Sequence, residues 1–167
     1  MLKASSRETE TEILLSGNKF IDLLQAAMDK KASFRFQAKG FSMSPFIKNG
    51  DFLTVSALGN ADAGIGKIIV CVRPKNRMLI VHRVVGKNKN GYILKGDNIF
   101  NIDSLVHYDD VLGVVSSIER NGRPVLFGLG WERVIVAFFS RIKVFPVVSR
   151  LWRKLQKTPP KKLISLL

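Results

Sequence analysis

Apolar and polar positions change their period twice along this chain. Between Ser16 and Lys31, Phe20, Leu23, Leu24, Ala27 and Met28 recur at i, i+3, i+4, i+7 and i+8, which predicts a helix with one apolar stripe. Ser16 or Asn18 suits its start, and Lys30 and Lys31 suit its C-terminal end, where cations meet the negative pole of the helix. From residue 33 the period falls to two, or to short unbroken apolar runs. SFRFQA (33–38), DFLTVSA (51–57), KIIVCVR (67–73), MLIVHRVVG (78–86), GYILKG (91–96), DVLGVVSSIER (110–120) and RPVLFG (123–128) each read as a strand. PKNR, NKNG and RNGR between them read as hairpin turns. From Trp131 a helical pattern returns, studded with arginine and lysine. The expectation is a mainly β fold: a polar, loose segment over 1–15, one domain over 16–130 with its leading helix, and a basic amphipathic segment over 131–167.

Length and composition agree with one folded domain. A chain of 167 residues can bury roughly two-thirds of its unfolded surface, and 46% hydrophobic with 24% charged residues excludes a disordered chain. The formal charge of +14 points to an anionic partner. It is unevenly spread, because residues from Trp131 onward hold nine Lys/Arg against Glu132 alone. No helix-turn-helix, RNA-binding or zinc module is visible, and the basic excess is interleaved with apolar residues. Both features disfavour nucleic acid as the partner. A single cysteine, Cys71, in an apolar run and two histidines, His82 and His107, provide no disulfide and no metal-ligand cluster, and no cofactor is implied. The N-terminus, MLKASSRETETEILL, is too polar for a secretory h-region, so the chain is expected in the cytoplasm.

The tail is the one candidate for a membrane span. Within VIVAFFSRIKVFPVVSRLW, twelve strongly apolar residues contribute roughly −4 to −7 kcal/mol to insertion, while Arg141 and Lys143 cost about 2.5–3.5 kcal/mol each. Arg150 and Pro146 add to that cost. Two readings remain: a helix over 131–157 lying on an anionic membrane surface, or a helix packed on the β-domain with a solvated basic face.

Three segments carry candidate chemistry: GFSMSPFIKNGD (40–51), VHRVV (81–85) and LKGDNIFNID (94–103). Singly, each has a plain account. A serine in a Gly/Pro loop is a turn residue, a histidine in an apolar strand is a satisfied core group, and KGDN ends a hairpin with Asp97 and Asn98 bonding their own backbone. In this order, however, they resemble the signal peptidase I family. The matching residues are Gly40, Ser42, Met43, Pro45, Gly50 and Asp51, then His82 to Val85, then Gly96, Asp97, Asn98 and Asp103, spanning about residues 38–115. His82 stands where the common bacterial branch has lysine, so the likeness is to the branch that pairs serine with histidine. The self-cleaving SOS repressors are relatives in fold.

The resemblance implies a serine endopeptidase that removes a leader or signal-type segment from a peptide or preprotein. Ser42 is the expected nucleophile and His82 the general base. Asp103 is the first choice for the carboxylate that orients the imidazole and Asp97 the second. These residue types suit the chemistry. A serine hydroxyl needs a base within hydrogen-bond reach, an imidazole serves near neutral pH, and a carboxylate on its other nitrogen fixes the tautomer. Ser44 is the rival nucleophile. Met43 is expected to anchor the loop and backbone N–H groups around Ser42 to hold the oxyanion, while Phe41 and Phe46 either line the substrate groove or serve plain packing. His107 has no motif partner. Two features depart from the family: Gly40 stands where a hydroxyl residue often assists the oxyanion, and no N-terminal membrane segment precedes the domain. The expected enzyme is therefore peripheral, at the inner face of a membrane. The competing class is a catalytically degenerate member that binds extended peptides by strand addition.

Overall fold

The computed structural model describes residues 17–59, 63–73, 75–103 and 105–157, with the helical course alone described over 152–157. The segment 1–15, expected to be loose, lies outside the described residues. In chain order the elements are α1 (Gly17–Asp29), β1 (Phe34–Gln37), β2 (Phe52–Ser56), β3 (Ile68–Arg73), β4 (Met78–Asn88), β5 (Gly91–Lys95), β6 (Val106–His107), a 3-10 turn (Tyr108–Asp110), β7 (Val111–Arg120), β8 (Arg123–Pro124), α2 (Arg133–Arg141) and α3 (Val144–Lys157). The fold is mainly β with helices at both ends, as the patterning predicted. All strands join one antiparallel sheet of order β1-β2-β7-β3-β4-β5-β6, with β8 on the edge of β7.

Central position explains the strands that do not alternate. Strand β3 lies between β7 and β4, and Ile68, Ile69, Val70 and Cys71 are all buried. Ile68 and Val70 enter a core shared with α1, β2 and β7, whereas Ile69 and Cys71 enter a second core with Ile80, Val84, Tyr92 and Leu94. Both faces of β3 are therefore covered, which is what a continuous apolar run requires. The hairpin punctuation falls where expected, between β3 and β4, β4 and β5, and β7 and β8. At the last of these, Asn121 and Gly122 both take positive φ (51° and 73°), the backbone of a tight primed turn.

Three expectations are corrected. In α1 the fully buried residues are Ile21, Leu24 and Met28, while Leu23 is exposed. The stripe is turned by about one residue so that Phe20 can meet Phe34 and Phe36 edge-on. RPVLFG yields only the two residues of β8, beyond which a single bond from the Val125 N–H to Ile118 O continues the pairing with β7. Val106–His107 adds a strand too short to show any period.

The tail forms two helices, broken at Lys143, whose φ is +66°. Val136, Ala137 and Ser140 of α2 are buried, and the Arg141 Nη1 donates to Val85 O of β4 at 2.9 Å. One face of the tail thus packs on the β-domain. No described helix is long and apolar enough to cross a membrane.

Candidate active site

Residues 38–51 close like a hairpin on β1 and β2. The Ala38 N–H donates to Asp51 O, and the Gly50 N–H returns to Ala38 O. Inside that closure the chain makes one helical turn, with the N–H groups of Phe46 and Ile47 both reaching Met43 O. The apolar residues of the loop face inward, leaving Met43, Phe46 and Ile47 at 3–6% exposure. Met43 is the core anchor the sequence suggested. Of the two readings for Phe46, packing is the one observed: it stacks on Phe127, meets Phe145 edge-on, and lies under the Arg83 guanidinium. Phe41, at 70% exposure, remains at the surface. Asp51 is buried and clamped by Arg120, whose Nε and Nη2 each donate to it at 2.8 Å. Burial pushes the Asp51 carboxyl up, but the Arg120 guanidinium and the Lys48 N–H outweigh it and hold its pKa below the ordinary value. The turn carrying Ser42 is therefore fixed at its base and at its core face.

Strand β4 presents the next two groups. His82 and Arg83 are consecutive, so they point to opposite faces of the sheet. His82 is 6% exposed, and its Nδ1 forms a short hydrogen bond with Asp103 Oδ2. Asp103 is fixed from behind by its own N–H, which donates to Leu94 O at 2.9 Å, and lies 3.8 Å from the Arg73 Nη2. The other imidazole nitrogen faces the Ser42 turn. A Cβ placed on Gly96 would stand 2.9 Å from His82 Nε2 and also 2.9 Å from Ser42 O, so no more than twice that distance separates these two atoms. Only glycine leaves that space open. Ser42 is half-buried, and among the described residues its hydroxyl makes no hydrogen bond, to His82 or to any other group.

Asp97 is not part of this arrangement. It is fully buried, and its two oxygens accept from Arg83 Nε and Nη2 at 2.9–3.1 Å. Arg83 also donates through Nη1 to Gly66 O and Gly128 O. This ion pair ties the loop after β5 to the far side of β4. The expectation that Asp97 bonds its own backbone is replaced by that tie, and its second-choice claim on the imidazole finds no contact.

Sequence reasoning missed three residues of the site. Arg83 was read only as part of the VHRVV box. Lys95 is fully buried, donates through Nζ to Gly96 O and Ile99 O, and has its pKa lowered by burial. Asn98 turns away from its own backbone: its N–H donates to Ser42 O at 2.8 Å and its Nδ2 to Phe41 O at 3.2 Å. Among these the signal available was the KGDN run itself, which packs more polar groups than a hairpin end needs.

Around Ser42 the backbone donors divide in two. The Gly40 N–H is taken by Asn49 Oδ1, and the Ser44 N–H by Phe41 O. Among the described residues the N–H groups of Ser42 and Met43 have no acceptor. Gly40 itself sits at φ +101°, a conformation that favours glycine over a hydroxyl residue. Cys71 is buried, and burial with the nearby Asp103 and Asp110 carboxylates pushes its thiol up to about 12, so it is no nucleophile. His107 lies exposed on β6, opposite Gly91. No metal-holding group of His, Cys, Asp or Glu occurs among the described residues.

No protein-family model matches this chain, and no curated protein matches it significantly.

Proposed function

We propose that this protein is a serine endopeptidase of the signal peptidase type, with Ser42 as nucleophile, His82 as general base and then acid, and Asp103 as the carboxylate that orients it. The observation that carries this reading is the placement of one imidazole between a carboxylate and a serine turn. His82 Nδ1 is bonded to Asp103, while Nε2 looks across the space above Gly96 at the Ser42 backbone. A carboxylate on Nδ1 fixes the tautomer that leaves Nε2 able to accept a proton.

In the reaction the Ser42 hydroxyl adds to the scissile carbonyl as its proton passes to His82 Nε2. In this scheme the N–H groups of Ser42 and Met43, which have no acceptor among the described residues, receive the resulting oxyanion. The tetrahedral species collapses, the C–N bond breaks, and His82 returns the proton to the departing amine. Water then repeats the sequence against the acyl ester, releasing Ser42. The missing hydroxyl–imidazole bond is compatible with this scheme, because such bonds are often long before substrate arrives. An extended substrate has a place to lie: Met78–His82 pair with β3 on one side, while pairing with β5 begins only at Arg83. The enzyme acts peripherally at the cytoplasmic face of a membrane, held by residues 131–157.

The test is cleavage of peptides carrying an apolar leader followed by small residues, by wild type and Ser42→Ala side by side. Cleavage by wild type alone supports the reading, and equal cleavage by both removes Ser42. The absence of a Ser42–His82 bond and the exposure of Phe41 favour one second reading, a degenerate module that binds such peptides without cutting them. Saturable binding with no turnover in wild type would select it.

A further inference from the structure

Among the described residues, Phe145, Ser149 and Arg150 of helix α3 each touch a loop that carries part of the candidate site. Phe145 packs edge-on against Phe46 of the serine turn, with ring centroids 5.1 Å apart. The Ser149 hydroxyl donates to Asn98 Oδ1 at 2.6 Å. The Arg150 guanidinium lies 3.9 Å from the centre of the Phe100 ring. Asn98 is the junction, because its remaining donors hold the carbonyls of Phe41 and Ser42. One side chain thus connects α3 to the backbone of the proposed nucleophile.

The opposite side of the helix pair is uncovered. Phe138, Phe139, Ile142, Val147, Val148 and Leu151 are each 41–60% exposed. Such a surface is uncommon on a protein that meets only water. The segment as a whole is cationic: Trp131 to Lys157 holds seven Lys/Arg against Glu132. That one acid is already engaged by the N–H groups of Gly128 and Gly130. An exposed apolar face on a segment of net positive charge matches an anionic bilayer surface, where apolar chains enter the headgroup boundary.

We propose that α3 is a brace operated by the membrane: seating its outer face on an anionic bilayer holds its inner face on Asn98, and so fixes the turn that presents Ser42. Asn98 and Ser149 are positioning residues in this device. Its consequence for catalysis rests on the peptidase reading above, but the mechanical link from bilayer to turn does not.

The experiment is amide hydrogen exchange on the full chain, with and without vesicles of phosphatidylglycerol and phosphatidylcholine, alongside vesicle flotation. In wild type, vesicles should slow exchange over residues 41–47 and 96–100 by about fivefold, the worth of one well-made hydrogen bond. Ser149→Ala should float with vesicles as wild type does, yet lose that slowing, and Ser149→Thr should restore it. Leu151→Glu should lose both flotation and slowing. In precursor cleavage on vesicles, Ser149→Ala should lower kcat and leave KM in place. Slowed exchange without cleavage in any variant would uphold the brace and sink the peptidase reading. Vesicle binding that leaves 41–47 unchanged, a Ser149→Ala response equal to wild type, or a protein that ignores vesicles and instead covers this face by dimerising would each overturn the brace.

Discussion

His82 and Arg83 are neighbours on one strand, and each captures an aspartate from the same loop, yet the two pairs have opposite characters. Arg83 and Asp97 are fully buried, joined through three donor–acceptor contacts, with the rest of the guanidinium spent on two carbonyls and an aromatic ring. Nothing is left over to react. His82 and Asp103 keep 7% and 14% of their side-chain surface, and among the described residues the pair leaves one imidazole nitrogen without a partner, across the space above Gly96 from the Ser42 backbone. Strand alternation alone sends two adjacent residues to a structural clamp and to a candidate catalytic centre. The role of each aspartate follows from the partner it meets and not from its place in a motif.

The comparison breaks most visibly in activity. Asp103→Asn removes the group that sets the imidazole tautomer, and cleavage should fall by up to about 10⁴-fold, with the protein still folded by circular dichroism. Asp97→Asn should behave in the opposite sense. It leaves a buried guanidinium uncompensated, which costs about 3–5 kcal/mol of stability in denaturant unfolding. A stable but inactive Asp97→Asn protein would reverse the assignment of the two carboxylates. Gly96→Ala tests the space between the halves of the site. Its methyl would meet both His82 Nε2 and a backbone oxygen inside van der Waals contact, and a displacement of that kind should cost about 10²-fold in kcat/KM.

The smallest effect concerns the base of the serine turn. Because the Asp51 pKa lies below its ordinary value, its ionised form stabilises the fold above about pH 4, the unfolded range, and this contribution is lost as pH falls through the lowered folded value. Unfolding midpoints of wild type should therefore drop on acidification, and Arg120→Met should be less stable at neutral pH with a shallower acid decline. Parallel curves would remove Asp51 from the account of acid stability.

Much of the sheet was legible in the sequence because strands β1 to β5 and β7 announce themselves by period or by turn residues. What escaped was set by tertiary contact. Leu23 and Ile21 exchange places because Phe20 finds two aromatic partners on β1, which no helical wheel contains. The sequence left Phe46 open between groove and packing, because Arg83, Phe127 and Phe145, which cover it, arrive from elements distant in sequence. Ser42, His82 and Asp103 were legible as an ordered set of residue types. The clamp on Asp97 was not, since a buried arginine cannot be told from an exposed one within VHRVV. Asn98 was invisible as a junction because Ser149, its third partner, lies in a segment that reads only as amphipathic.

The central claim is that Ser42 attacks the substrate with help from His82. The most direct measurement is the intact mass of the protein, quenched at short times with an activated peptide ester and mapped by digestion. The account predicts one acyl adduct on Ser42, absent from Ser42→Ala and formed far more slowly by His82→Ala. An adduct on Ser44, or undiminished acylation of His82→Ala, would contradict it.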